Sequence, residues 1–214
     1  MKKKVAVIGA GGFGREVIKY IEDINEVNTT SKTFEIVGFV DDNYEKDFFV
    51  DGYPVLGKIE ELNDKDDIYV VCAIGNPKVK KELIERAKNN NCRFFNVIHP
   101  SVYMTKNVEL GEGIIIGPYT VITTNIVIGN HVSINPRCGF GHDAIIKDYA
   151  SLYWDVNISG NVVIEEGSEL GSGSTIIQGK KVGPWSRIGA GAVVVDDVAE
   201  GATMVGVPAK DISQ

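Results

Sequence analysis

From Ile98 to Val194 every sixth residue is apolar, and no insertion breaks the count. The series passes through Met104, Leu110, Ile116 and Ile122 and ends on Ile188 and Val194. Four residues after each member stands a second series, from Val102 and Val108 to Ala192 and Val198, small or β-branched throughout except at Lys180. Glycine often follows the first series, as at Gly111, Gly117, Gly129, Gly141, Gly171, Gly183 and Gly189. An α-helix cannot hold a period of six, and a hairpin sheet alternates with a period of two. With a chance of about 0.4 that any one position is apolar, seventeen in register are no accident. The period predicts a triangular solenoid in which each unit is a short strand plus a turn and three units close one coil. The large aliphatic points inward, the small residue fills the space near the corner, and glycine permits the tight turn.

Upstream the pattern is different. Apolar strands are expected at 5–8, 34–40, 68–73 and 93–97, and helices at 15–24 and 77–89, the first with Val17, Ile18 and Ile21 on one face. Strands alternating with helices imply a parallel sheet with right-handed crossovers. Two domains follow: an α/β Rossmann-like domain over 1–97 and an all-β left-handed parallel β-helix over 98–214. With 43% hydrophobic and 24% charged residues the composition is that of a soluble globular protein. No apolar run approaches the roughly 18 residues needed to span a bilayer. The opening MKKKVAVIGAGG places lysines before a short apolar stretch that runs straight into glycines, so it reads as a first strand and not as a leader. A formal charge of −7 argues against non-specific nucleic-acid binding. Cys72, Cys92 and Cys138 lack metal-ligand spacing; their odd number suits reduced thiols, and each reads as a small buried residue of a cytoplasmic protein. No cluster suggests a metal.

Gly9, Gly11 and Gly14 form G-x-G-x-x-G, with Gly12 inside it, between a strand and a helix. Backbone amides there, with the helix N-terminus, suit a diphosphate. Asp41 and Asp42 end the second strand, where an acidic residue can hold a ribose or a base. By themselves these residues fit a dinucleotide, a sugar nucleotide or a structural turn. A dehydrogenase would also need a domain that sets a carbon against a nicotinamide, which a solenoid does not offer.

There are three histidines. His99, before Pro100, reads as a capping or packing residue, and His131 as a solvated turn residue. His142 follows the inward Phe140 and Gly141 and precedes Asp143, so it falls in a turn, partly exposed and able to exchange protons. A neutral imidazole can accept a proton from an attacking nucleophile. A neighbouring carboxylate can fix its tautomer, and Asp143 is the candidate. Gly160 lies eighteen residues on, one coil further. Stacked strands are about 4.8 Å apart, which puts its N–H in line with His142 to stabilise a developing oxyanion.

At the level of motifs the chain resembles the hexapeptide-repeat acyltransferases. Within them it is similar to the sialic-acid O-acetyltransferases and the bacillosamine- and perosamine-type nucleotide-sugar N-acetyltransferases. The resemblance spans the whole chain: VIGAGGFGREV at the start, GFVDD near residue 40, IHPS at the junction, GHD at 141–143, ISGN at 158–161 and GVPAK at the end.

The resemblance implies a homotrimer with active sites in clefts between neighbouring β-helices and acetyl-CoA as acyl donor. It implies a glycine loop that holds the nucleotide part of a sugar nucleotide, with His142 as base and the Gly160 amide at the thioester oxygen. Asn135 matches a position that faces the acceptor sugar. CoA is expected along the last coils, beside Gly160, Lys180, Lys181 and the Gly206, Pro208 and Lys210 of GVPAK. The chain departs from the family pattern at Phe13 and Ser151, where many relatives carry histidine, and at Asp143, where glutamate is common. Tyr153 and Trp154 stand where small residues are usual.

The function the resemblance implies is acetyl-CoA-dependent N-acetylation of a nucleotide-linked 4-amino-4,6-dideoxy sugar in surface-glycan biosynthesis. The alternatives are O-acetylation of a sialic or related sugar, and a non-catalytic sugar-nucleotide-binding protein.

Overall fold

The computed structural model describes residues 2–27, 34–63, 65 and 67–213. The chain folds as two compact units, Met1–Pro100 and Ser101–Gln214.

The first unit is a parallel sheet flanked by helices. Strand β1 (Lys3–Ile8) leads into helix α1 (Gly12–Val27) and then β2 (Phe34–Val40). A small antiparallel hairpin, β3 (Phe49–Val50) and β4 (Tyr53–Pro54), precedes a 3₁₀ turn at Ile59–Leu62. Strand β5 (Ile68–Cys72), helix α2 (Pro77–Asn89) and β6 (Arg93–Phe94) complete it. The sheet order is β2-β1-β5-β6, so the connections diverge between β1 and β5. Val5, Val7, Phe39, Val70 and Val71 form a core with no exposed surface. Helix α1 buries the predicted Val17, Ile18 and Ile21. It starts three residues before the expected residue 15 because the Arg15 N–H already donates to Gly11 O at 3.1 Å. Helix α2 starts where its caps dictate: the Asn76 side chain accepts from the amides of Lys78 and Val79, and Pro77 occupies the first turn. The hairpin and 3₁₀ turn were not expected, since two-residue strands carry no periodicity. His99 packs as expected, its Nε2 3.2 Å from Asp23 and its ring edge-on to Tyr20.

The second unit is the solenoid. Strands pair in parallel with a register of one coil: Ile116 with Ile134, Ile134 with Leu152, Leu152 with Leu170, and Leu170 with Ile188. A second face stacks Ile122, Phe140, Ile158, Ile176 and Val194, and a third stacks Ile128, Ile146, Ile164 and Val182. All these side chains are buried, as are the small residues of the second series from Ile114 to Val198 apart from Lys180. Met104, expected inside, is exposed, because the first coil has a solenoid neighbour on one side only.

The turns are built differently from the expectation. The glycines that follow the inward residues do not take left-handed backbone angles; those angles fall two residues later, at Gly113, Tyr119, Asn125, His131 and every sixth residue to Gly191. Large side chains such as Tyr119, Arg137, Tyr149 and Trp185 occupy this conformation. A non-glycine residue there costs on the order of 1 kcal/mol or more. Its N–H is engaged in return: Arg137 donates to Pro118 O at 3.0 Å and Asp143 to Thr124 O at 3.1 Å, each locking onto the preceding coil. The glycines after the inward residues answer to close stacking instead. A Cβ on Gly141 would lie 2.6 Å from the Gly160 nitrogen, and one on Gly117 2.8 Å from the Pro136 ring.

Candidate active site

His142 occupies the corner after the inward Phe140, immediately before the left-handed Asp143. That backbone turn brings the adjacent side chains together: His142 Nδ1 is 2.6 Å from Asp143 Oδ2. The shorter aspartate therefore reaches the ring. The other carboxylate oxygen accepts from Asn125 Nδ2 of the preceding coil at 3.1 Å. The hydrogen bond from His142, then that from Asn125, holds the Asp143 carboxyl below the usual carboxylate range. An ionised carboxylate only accepts, so the proton of a neutral ring sits on Nδ1 and the Nε2 lone pair is left open.

Gly160 lies under the imidazole. A Cβ there would come within 2.7 Å of His142 Nε2 and 2.8 Å of Cε1, so only glycine admits the ring in this position. The Gly160 carbonyl accepts from Gly179, while its N–H meets no acceptor among the described residues. The corner thus presents a proton acceptor and a free backbone donor side by side, which suits a reaction that removes a proton as an oxyanion forms.

Asn135 is not brought to His142. It opens the preceding corner of the prism, half-buried, with its N–H on Leu152 O and its carbonyl near Thr120 Oγ1. Ser151 is buried on the face that also carries Ser133. Tyr153 donates to Glu169 at 2.9 Å, and burial followed by that carboxylate pushes its hydroxyl up to about 12. Trp154 stays exposed. His131, expected in solvent, is 1% exposed. Its ring stacks on Tyr149 at 5.7 Å, on the face away from Gly113, where a Cβ would collide with Nδ1. Burial pushes the Cys72 and Cys138 thiols up to about 12, which makes them poor nucleophiles.

In the first unit a cavity of about 290 Å³ opens at the ends of β1, β2 and β5, lined among others by Gly9, Asp41, Asp42, Asn43, Ile74 and Arg86. It lies where the sheet connections diverge, the usual ligand crevice of such sheets. Of the four loop glycines Gly9 lines it, and the four divide by cause. Gly9 has φ +101°, and a Cβ there would lie 2.8 Å from Ile74; one on Gly14 would strike the Gly9 carbonyl. Gly9 is required by its backbone angle and the close approach of Ile74, and Gly14 by the packing of the helix on the first loop and strand. Gly11 has nothing within 4 Å and Gly12 only the tip of Arg15, so packing does not explain them. Asp41 turns inward and accepts from the Ala10 N–H at 2.8 Å, closing the loop. Asp42 is held by Arg86 at 2.6 Å, and Arg86 also grips Glu60 at 2.8 Å. Sequence reasoning missed this Arg86 clamp, since its members are distant in the chain.

At the other end of the solenoid Lys180 is half-buried. Lys181 pairs with Glu165 at 2.9 Å, and Lys147 takes the second carboxylate oxygen at 2.7 Å, so Lys181 is not a free surface cation. Gly206, Pro208 and Lys210 lie exposed in a terminal antiparallel hairpin, which is pinned by Val193 N–H to Gly206 O at 3.0 Å. Among the described residues no group of three His, Cys, Asp or Glu side chains is arranged for a metal, and no helix is long and apolar enough to cross a membrane.

Residues 4–87 match the family described as the PglD N-terminal domain. UDP-N-acetylbacillosamine N-acetyltransferase of Bacillus subtilis is 31% identical over 119 residues, covering 53% of this chain and 51% of the relative. The aligned part thus spans about half the length of that curated relative. Among solved structures, WeeI from Acinetobacter baumannii is 31% identical with a TM-score of 0.87, covering 97% of this chain and 99% of its own. A histidine-to-asparagine mutant of perosamine N-acetyltransferase from Caulobacter crescentus, in complex with CoA and GDP-perosamine, has a TM-score of 0.89 at 27% identity, covering 99% of this chain and 97% of its own. The α/β unit thus carries a PglD N-terminal domain, and the chain, a parallel α/β sheet followed in sequence by a left-handed parallel β-helix, shares the fold of these two solved structures.

Proposed function

We propose that this protein moves the acetyl group of acetyl-CoA onto the amine of a nucleotide-linked 4-amino-4,6-dideoxy sugar, for surface-glycan biosynthesis. The observation that carries this is the His142–Asp143 pair with its open Nε2 above Gly160, in a chain whose relatives include nucleotide-sugar N-acetyltransferases. The amine attacks the thioester carbonyl, a C–N bond forms, and the carbonyl oxygen takes up negative charge beside the Gly160 N–H. Nε2 of His142 accepts the proton that the amine sheds. Collapse of the intermediate breaks the C–S bond, and the proton passes from the imidazolium to the departing sulfur. No metal enters this scheme.

The amides around Gly11 and Gly12 take the diphosphate, because their glycines keep side chains out of space that packing does not claim. Gly9 and Gly14 shape that loop. Asp41 acts on the ligand through the loop it closes, and Asp42 through the Arg86 pair at the cavity wall. Asn135 faces the acceptor sugar. CoA lies along the last coils past Gly160, Lys180 and Lys181 to the hairpin of Gly206, Pro208 and Lys210. The 1–97 segment is the nucleotide domain and 98–214 the transferase domain of a cytoplasmic enzyme.

The assembly is a homotrimer with its active sites between subunits. Val121, Val127 and Ile145 leave apolar surface exposed on the two faces that meet at the His142 corner. Three copies around an axis would cover it. Sedimentation equilibrium giving a monomer at micromolar concentration would remove this part of the proposal.

Gly11→Asp tests the division of labour. A carboxylate at the diphosphate site should weaken binding of the sugar nucleotide at least tenfold and leave acetyl-CoA binding unchanged, as calorimetry with each ligand will read. Equal loss of both would make the loop structural. Loss of acetyl-CoA alone would reverse the two ends.

A further inference from the structure

Asp143 can serve His142 only if its carboxylate keeps one rotation. Its side chain is 44% exposed and short, and water competes for both oxygens. Oδ2 meets the imidazole at 2.6 Å, while Oδ1 meets Asn125 Nδ2 at 3.1 Å from the coil before. Resting on the reading of His142 as the proton acceptor, we propose that Asn125 is a positioning residue: its amide pins Asp143 Oδ1 and thereby aims Oδ2 at Nδ1.

The geometry gives Asn125 the means. It stands eighteen residues before Asp143, in the same column of left-handed corner residues, with φ 57° against 60°. Closely similar φ angles one strand spacing apart leave the two side chains within hydrogen-bond reach. Asp143 only accepts when ionised, so the amide must turn its NH₂ toward it. The amide oxygen then faces the other way, 3.5 Å from Thr124 Oγ1 and 3.5 Å from Asn107 Nδ2 of the next coil out. A polar ladder thus runs Asn107, Asn125, Asp143, His142. In the adjoining coils the corner carries Thr124 and Asn125 on one side and Gly160 and Asn161 on the other, so among the described residues of these three stacked corners Asp143 is the only charge next to the ring. Lys106 stands two coils away in the His142 column.

Asparagine suits the site twice over, because it tolerates the left-handed backbone and supplies a neutral donor. Removal of the side chain is therefore best tested as Asn125→Gly, which keeps the backbone relaxed. Asn125→Asp keeps size and backbone preference but replaces the donor by an acceptor.

In Asn125→Gly the expected fall in kcat is about tenfold, the scale of one hydrogen bond to a charged group, with the KM for acetyl-CoA unchanged. Nitrogen NMR of the His142 ring reads tautomer and midpoint directly, and the opposite shift expected of Asn125→Asp separates a misaimed carboxylate from loss of structure. In the wild type the neutral ring should carry its proton on Nδ1. In Asn125→Gly the Nε2–H tautomer should become populated and the titration midpoint should move down. In Asn125→Asp the added negative charge should move the midpoint up, and the acid limb of kcat/KM with it. An unchanged tautomer and midpoint in the glycine variant would overturn the proposal, even if kcat fell. So would an aspartate variant whose midpoint stays in place. The NMR arm needs no turnover, so it is read independently of whether the wild type acetylates a sugar nucleotide.

Discussion

His142→Ala is expected to lower kcat by about 10² to 10⁴-fold, the usual worth of general-base catalysis. The KM for acetyl-CoA should hardly change. The fold should survive, because the side chain is 60% exposed at a corner and its backbone carbonyl still accepts from Asn161 at 2.8 Å. Wild-type kcat/KM should rise with pH as the imidazole loses its proton, since only the neutral ring accepts. Asp143 stays ionised over that range, its pKa being lowered by its bond to His142 and then by Asn125. Asp143→Asn should cost less than His142→Ala, because it removes the partner and not the base. Steady-state kinetics on the purified variants, with the acceptor amine's own titration measured separately, decide this. Near wild-type turnover by His142→Ala would mean that the amine arrives neutral and that the corner works by positioning and the Gly160 amide.

Phe140→Ala is expected to have the largest effect on stability. Phe140 is the one aromatic in the inward stack between Ile122 and Ile158, and it is 2% exposed. Deleting a buried phenylalanine side chain costs about 3–5 kcal/mol through lost transfer energy and the cavity left behind. The parallel strands on either side, fixed by backbone bonds such as Gly141 N–H to Ile158 O at 2.8 Å, limit how far the coil can collapse into the gap. Urea unfolding should show a midpoint well below that of the wild type. Because Phe140 stands two residues before His142, activity should fall as well, even at low denaturant. A shift worth less than about 1 kcal/mol would mean that the prism interior relaxes far more than a closely packed core does.

The solenoid was legible because a period of six has one physical meaning: an inward residue per strand, repeated without insertion. The same counting reached the site where it was applied. Eighteen residues separate His142 from Gly160, and the ring does lie over that glycine. Applied once more it would have found Asn125, eighteen before Asp143. It would also have corrected His131, whose neighbours at minus and plus eighteen are Gly113 and Tyr149, one leaving room for the ring and the other stacking on it.

The corners were not legible by residue type. Tyr119, Arg137 and Trp185 are poor choices for a left-handed backbone in isolation, and only the hydrogen bond to the preceding coil makes the conformation hold. Glycine propensity pointed to the wrong turn position for the same reason: Gly117 and Gly141 answer to the coil stacked on them and not to their own backbone angles. In the α/β unit the G-x-G-x-x-G spacing located the loop, but not that Gly9 and Gly14 serve packing while Gly11 and Gly12 are left open. Nor could the sequence show that Asp42 is engaged by Arg86, a contact between residues 44 positions apart.

The most direct test is thiol release from acetyl-CoA by the purified protein, measured against UDP-, GDP- and dTDP-linked 4-amino sugars with free sialic acid alongside. The expected result is CoA release with one of the nucleotide-linked amino sugars, matched by an amide product that survives mild base, and none with free sialic acid. Release with sialic acid and a base-labile ester product would contradict N-acetylation in favour of O-acetylation, and binding of a sugar nucleotide without any CoA release would contradict catalysis altogether.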